Sequence, residues 1–178
     1  SSFVWGPFSI VWGFGCSFLT ALLYRYKDRS DRYIFTYGTV LGGFYEYACS
    51  VISERVFGTV FWDYSKIPFN LGGRINLLYC FFWGIAAVVW IKILYPRFSA
   101  WIEKIPMKPG KIITWLVLIF LLVDMAMSGL ALYRYTDRLT DPEPDNALEV
   151  FLDEHFDDER LEKLYPNAKV TGEDGTWQ

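Results

Sequence analysis

Apolar residues dominate four windows of the chain, and polar residues collect between and after them. Residues 3–24 hold no charged side chain, 33–53 hold only Glu46, 75–95 are uncharged up to Lys92, and 112–133 hold only Asp124. An α-helix needs about 20 such residues to cross a hydrocarbon layer of roughly 30 Å. The pattern predicts an all-α polytopic membrane protein with four transmembrane helices, Lys92 lying near enough to a helix end to snorkel to the interface. After residue 134 the pattern changes. TDPEPD carries three acids and two prolines and reads as a stiff spacer unsuited to a helix interior. Beyond it Leu148, Phe151, Leu152 and Phe156 fall on one helical face, and Leu161, Leu164 and Tyr165 follow before Pro166 ends the run. Two short amphipathic helices are expected there, docked on the rest of the chain or offered to a partner. The last eight residues, TGEDGTWQ, are expected to fray. The chain therefore divides into a transmembrane helical domain, 1–134, and an acidic extramembrane tail, 135–178.

Charge sharpens that division. The net charge of −3 hides 12 Lys/Arg against 7 Asp/Glu in residues 1–133, or +5, and 5 against 13 in residues 134–178, or −8. The 25–32 loop carries four basic residues, and the 96–111 loop with Lys92 carries five. Residues 54–74 carry three, joined by Arg134 and Arg138 at the tail entry. Nine against five puts the two short basic loops in the cytoplasm, and the 54–74 loop and the tail outside. The acidic balance outside the bilayer and the lack of a basic stripe exclude nucleic acid as a partner. Cys16, Cys49 and Cys80 all lie in apolar stretches and read as small buried residues, not a disulfide framework. With one histidine, His155, and no C-x-x-C pair, no metal site or cofactor is expected. No Met and no basic stretch precede the first apolar segment, so sequence upstream is expected; the segment is long and its charged flanks lie only after it, so it is not read as a signal peptide.

Ionisable groups at membrane depth are costly and mark candidate sites. Glu46 and Asp124 lie 13 and 12 residues into their windows, roughly 18–20 Å from the same side if both helices begin there. No Lys or Arg occupies the middle of a span to neutralise them. Thr39, Gly42, Glu46, Cys49 and Ser53 recur at spacings of 3, 4, 3 and 4, a small and polar stripe that either packs in a close helix seam or lines a polar path. Asp124, followed by Ser128 and Gly129, admits the same two readings. Between the second and third spans, ERVFGTVFWDYSKIPFNLGGRINLLY interleaves aromatics with charges. Trp62 and Tyr64 suit interfacial anchoring. Glu54, Arg55, Asp63, Lys66 and Arg74 could form ion pairs, such as Asp63 with Arg74 or Glu54 with Arg55, that shape a re-entrant loop. They could equally, with Asn70, form a pocket for a headgroup.

The GPFSIVWGFG opening, the long run YEYACSVISERVFGTVFWDYSKIPFNLGGRINLLYCFFWG and a YPN near the end resemble the bacterial CmpB-like permeases, a membrane family called ABC-transporter type IV. The resemblance covers nearly the whole chain, with ERxFGxxFWDYSxxPFNxxGR as its most specific part. Its marked positions include Glu46, Glu54, Trp62, Asp63, Tyr64, Asn70 and Arg74, whereas Ser9 and Trp12 depart from its more usual GPYCPIYGFG opening. It implies a multi-pass protein of the bacterial cytoplasmic membrane with a transport role, one further helix upstream, and an ATPase or other membrane subunit as partner. The chain itself has no P-loop, because Ile105 and Ile112 stand where the motif around Gly110-Lys111 needs Gly and Ser/Thr.

Three functions fit. The first is a transport or ligand-binding component, alone or as an oligomer, with a polar intramembrane cavity around Glu46 and Asp124 and an interfacial site at Glu54, Arg55, Trp62, Asp63, Tyr64, Asn70 and Arg74. The second is a lipid-active membrane enzyme using Glu54, Asp63 and Arg74, although no nucleophile and base are recognisably paired. The third is an accessory or scaffold subunit whose tail recruits a partner.

Overall fold

A computed structural model describes residues 3–172 and Trp177. Seven α-helices carry most of them: α1 Ile10–Leu23, α2 Asp31–Phe57, α3 Leu77–Val89, α4 Tyr95–Ile102, α5 Met107–Asp137, α6 Ala147–His155 and α7 Asp158–Leu164. Local chemistry sets the ends. Gly6 at φ +103° followed by Pro7 turns the opening segment, so α1 begins only at Ile10. The Ser30 hydroxyl accepts the Tyr33 amide to cap α2, and Gly58 at φ +62° closes that helix by giving its N–H to Glu54 O. The Asn76 side chain caps α3 through the Leu78 amide. Pro96 has no N–H to offer the preceding turn, and the chain passes it by a π-helical turn, Trp90–Leu94, that joins α3 to α4 as one rod, Leu77–Ile102. The basic 96–111 segment is thus mostly helix, with a break only at residues 103–106.

Among the described residues two helical rods are long and apolar enough to cross a membrane, Leu77–Ile102 and Met107–Asp137, where the sequence pattern predicts four spans. Helix α1 has 14 residues, about 21 Å at 1.5 Å per residue, short of a full hydrocarbon layer. Helix α2 is long enough, but its glycines, threonines, tyrosines and Glu46 dilute its hydropathy. In the most apolar stretches of the two qualifying rods only 28% and 22% of residues are buried, the reverse of a soluble core helix.

The chain forms two compact units. Unit 1 comprises Ser1–Ile10, Ser50–Asp63 and Ile119–Gln178; unit 2 comprises Val11–Cys49 and Tyr64–Leu118. In unit 2, Leu19 and Leu23 of α1, Ile34 of α2 and Trp83, Ala87 and Ile91 of the third rod form the core. The hairpin β2 (Asn70–Leu71) with β3 (Ile75–Asn76) turns through Gly72 and Gly73, both at positive φ, which a Cβ-bearing residue would resist. In unit 1, Val4, Ala131 of α5, and Leu152, Phe156 and Leu161 of the tail form a second core. A two-residue ladder pairs β1 (Thr59–Val60) with β4 (Lys169–Val170).

Both tail helices form, but the buried face of α6 is rotated from the expected one. Leu152 and Phe156 are buried, whereas Leu148 and Phe151 are exposed. The cause is electrostatic: Glu149 and Asp153, on the same side as Leu152 and Phe156, are drawn to Arg134. Within TGEDGTWQ, residues 173–176 and 178 lie outside the described residues. Trp177 is not frayed: it bridges to Thr171 and gives its indole N–H to Glu54 at 2.8 Å.

Candidate functional site

Glu46 belongs to unit 2, and both of its oxygens are occupied. The Tyr64 hydroxyl donates to Oε1 at 2.8 Å and the Trp83 indole N–H donates to Oε2 at 3.2 Å. Its stripe packs against α3. A Cβ added to Gly42 would overlap Trp83, one on Gly38 would overlap Ala87, and one on Gly84 would overlap Thr39 and the Phe35 backbone. These glycines let two helix backbones approach closely, and Glu46 is hydrogen-bonded across the seam they make. Aromatic rings surround that point: Trp83 stacks on Trp12 and meets Tyr45 edge-on, while Tyr64 stacks on Tyr79 at 4.6 Å. Burial first, then the neighbouring Glu46, pushes the Tyr64 phenol well above its usual range, so it stays a donor.

The loop after Tyr64 is braced by its own amides. Asn70 donates to Ile67 O at 2.8 Å and accepts the Gly73 amide at 3.0 Å; Asn76 donates to Pro68 O at 2.6 Å; and the Tyr64 amide reaches Gly73 O at 2.8 Å. The carboxamide of Asn70 is thus engaged in shaping the turn. Arg74, half-buried, follows that turn with its backbone N–H on Leu71 O. Phe69 stands at φ +60° with its ring 83% exposed.

Asp124 belongs to unit 1, where it is fully buried. Its Oδ1 accepts the Trp5 amide at 3.1 Å, and one turn on, the Ser128 hydroxyl accepts the Val4 amide at 3.0 Å while donating to Asp124 O. The opening segment is therefore held to α5 by two polar side chains at a spacing of four, which is what a turned, non-helical backbone needs inside an apolar setting. Asp124 Oδ2 has no hydrogen-bond partner among the described residues. Tyr165 adjoins this cluster. Burial and then the Asp124 charge push its phenol up, against a hydrogen bond with Ser128 that pulls it down. None of Val4, Trp5 or Tyr165 carries a sequence signal for this role; only the Asp124/Ser128 spacing hints at it.

Glu54, Trp62 and Asp63 also fall in unit 1, Glu54 and Asp63 meeting the tail there. Glu54 Oε1 accepts Trp177 at 2.8 Å and the Thr171 hydroxyl at 3.2 Å, and Asp63 Oδ2 pairs with Lys169 at 2.8 Å. Trp62 is half-buried; Arg55 is exposed and has no partner among the described residues. A fourth polar centre escapes the sequence pattern. Arg134, 1% exposed, meets Asp137 at 2.7 Å, Asp153 at 3.0 Å and the carbonyls of Asp141 and Pro142, while Arg138 takes Asp153 and Asp158. Hydrogen bonding from Arg134 above all holds the Asp153 carboxyl below its usual range. Among the described residues no group of three His, Cys, Asp or Glu side chains converges to hold a metal.

The carboxylates thus serve three different ends: Glu46 in a glycine seam, Glu54 and Asp63 on the tail, and Asp124 on the opening segment with one oxygen to spare. No curated protein and no solved structure matches the chain. The sequence model of the family described as putative ABC-transporter type IV matches residues 1–129, which takes in the opening segment, the glycine seam, the interfacial loop and Asp124. The chain belongs to this transporter-related membrane family.

Proposed function

We propose that the chain is a multi-pass transport component of the bacterial cytoplasmic membrane, with a membrane part, 1–134, and an extracytoplasmic tail, 135–178, and that Asp124 is its loading site for a proton or small cation. The observation that carries this is the Asp124 carboxyl, fully buried in an apolar helix with Oδ2 unpartnered among the described residues. A bare carboxylate oxygen in such a place is costly unless it takes a proton or a cation. Loading there would compete with the grip of Oδ1 on the Trp5 amide, linking occupancy to release of the opening segment. Helix α2 crosses the bilayer with the two apolar rods in this reading. Support comes from the inverted polarity of α2, whose Gly38, Gly42 and Glu46 are buried while Val40, Phe44, Ile52 and Val56 are exposed. Pairing of β1 with β4 supports the 54–63 segment and the tail lying on one side.

The geometry favours this reading over the lipid-active enzyme and the scaffold. Glu54 and Asp63, the acids an interfacial enzyme would use, are bonded to the tail, and the tail that a scaffold would extend is bonded to its own chain.

The chain has no P-loop, so its energy comes from an ATPase partner or from an ion gradient. Purification of the tagged protein in mild detergent with mass spectrometry of everything retained separates these. A stoichiometric ATP-binding subunit identifies the first. A partner-free preparation leaves the second, for which proteoliposomes containing a pH- or cation-sensitive dye should show flux that falls at least about tenfold in Asp124→Asn at unchanged melting temperature. A preparation with no ATP-binding partner and no Asp124-dependent flux would overturn the proposal.

A further inference from the structure

In unit 2 a groove of about 520 Å³ opens between the start of α2 and the end of α3. Its walls are Phe35, Ile85, Val88 and Val89, and Arg32 stands at its rim beside Asp31 and Thr36. From Ile85 to Lys92 is seven residues, roughly 10 Å along a helix, so the apolar part extends about that far into the span from the level of the charges. A groove of this kind, apolar at depth and cationic at its mouth, matches a lipid tail below and its phosphate above.

The charges around the mouth single out one side chain. Arg25, Lys27, Arg29, Arg32 and Lys92 face only Asp28 and Asp31 in this region of the sequence, an excess of positive charge. Most of the cations are engaged. Arg25 lies over Tyr26, Lys27 over Tyr24 and Arg29 over Tyr33, while Lys92 pairs with Asp31 at 3.1 Å and donates to Arg29 O. That pairing also neutralises the one acid on the rim. The Arg32 guanidinium is exposed and has no partner among the described residues, and its planar fork is suited to a phosphate diester. The tyrosines of the same region, Tyr24, Tyr26, Tyr33 and Tyr37, fix this end of the unit at headgroup level.

We propose that this groove holds one acyl chain of an anionic phospholipid whose phosphate is taken by Arg32. The inference rests on the membrane reading of the α3–α4 rod and is independent of any role for Asp124.

Native mass spectrometry of the full chain tests it, with phosphatidylglycerol and phosphatidylcholine offered at equal concentration and inorganic phosphate in a separate arm. The wild-type protein is expected to retain phosphatidylglycerol at least about fivefold more than phosphatidylcholine, and Arg32→Gln to bring that ratio to about one. Val89→Trp, which fills the groove, should lower retention of both lipids while leaving Arg32 in place. Both positions are exposed, so each variant is expected to melt with the wild type. An unchanged lipid ratio in Arg32→Gln would overturn the headgroup assignment, and undiminished retention in Val89→Trp would overturn the groove. Stabilisation by inorganic phosphate equal to that by the lipid would make the site one for soluble anions and refute the proposal.

Discussion

Replacing Gly42 by Ala tests how unit 2 is held together. The new Cβ would overlap Trp83 at Cβ and Cγ, and a Cβ is fixed to its backbone, so no rotamer of Trp83 relieves the clash. The helices must part or α3 must slide, and either motion weakens the Trp83–Glu46 hydrogen bond across the seam. Overpacking of this kind costs about 1–3 kcal/mol, set against the 0.5–1 kcal/mol or so by which Ala outperforms Gly inside a helix. The net expectation is a loss of roughly 0.5–2 kcal/mol. Gly13 supplies the control, being helical with nothing within 4 Å of a Cβ placed there. Gly13→Ala should stabilise by about 0.4–1 kcal/mol through the unfolded state alone. Thermal unfolding of both variants in one detergent reads the difference, at about 2–4 °C per kcal/mol for a chain of this size. Melting temperatures that move together in the two variants would refute the close approach of α2 to α3.

Two further outcomes follow from the polar centres. Tyr64→Phe removes the donor to Glu46 Oε1 and should cost about 1–3 kcal/mol, while Glu46→Leu, which also leaves the Trp83 indole N–H without its acceptor, should cost more; a melting curve unchanged in Tyr64→Phe would show that the bond contributes nothing. At the tail, the folded Asp153 pKa lies below its unfolded value near 3.9, so its contribution is fully present above about pH 4 and is lost as pH falls through the folded value. The facing groups are Arg134 and Arg138, with Asp137, Glu149 and Asp158 beside them. Protease protection of residues 147–164 should therefore hold steady from pH 7 to about pH 5 and fail only below about pH 4; release between pH 7 and 5 would contradict the ion-pair account.

The apolar windows were readable because hydropathy is local. What they could not convey was which glycine meets which ring, because Gly42 against Trp83 and Gly84 against Thr39 depend on the register between two helices. Pro7 and Gly6 signal a turn, yet a count of charge-free residues overrides such a signal and starts the first helix seven residues before Ile10. The Asp124/Ser128 spacing was visible, but the backbone amides it holds lie 119 and 124 residues away in sequence. By position Arg134 is one more topogenic charge, and its burial among tail carboxylates reflects a long-range fold that the amphipathic pattern of α6 misjudges.

An acid inside an apolar segment is ordinarily treated as a functional mark, and Glu46 and Asp124 look equivalent by depth and by composition of their neighbours. Their hydrogen bonds separate them. Glu46 gives both oxygens to ring donors whose own packing fixes them, so a ligand arriving there must first break two bonds within a close-packed seam. Asp124 gives one oxygen to a backbone amide of a turned segment and keeps the other. That second oxygen, buried and without a hydrogen-bond partner among the described residues, is where the proposed loading would take place. Satisfaction, more than burial, distinguishes an acid that holds a membrane protein together from one that can be loaded and unloaded. On that criterion substitution of Glu46 should be felt first in stability, and substitution of Asp124 first in what the protein carries.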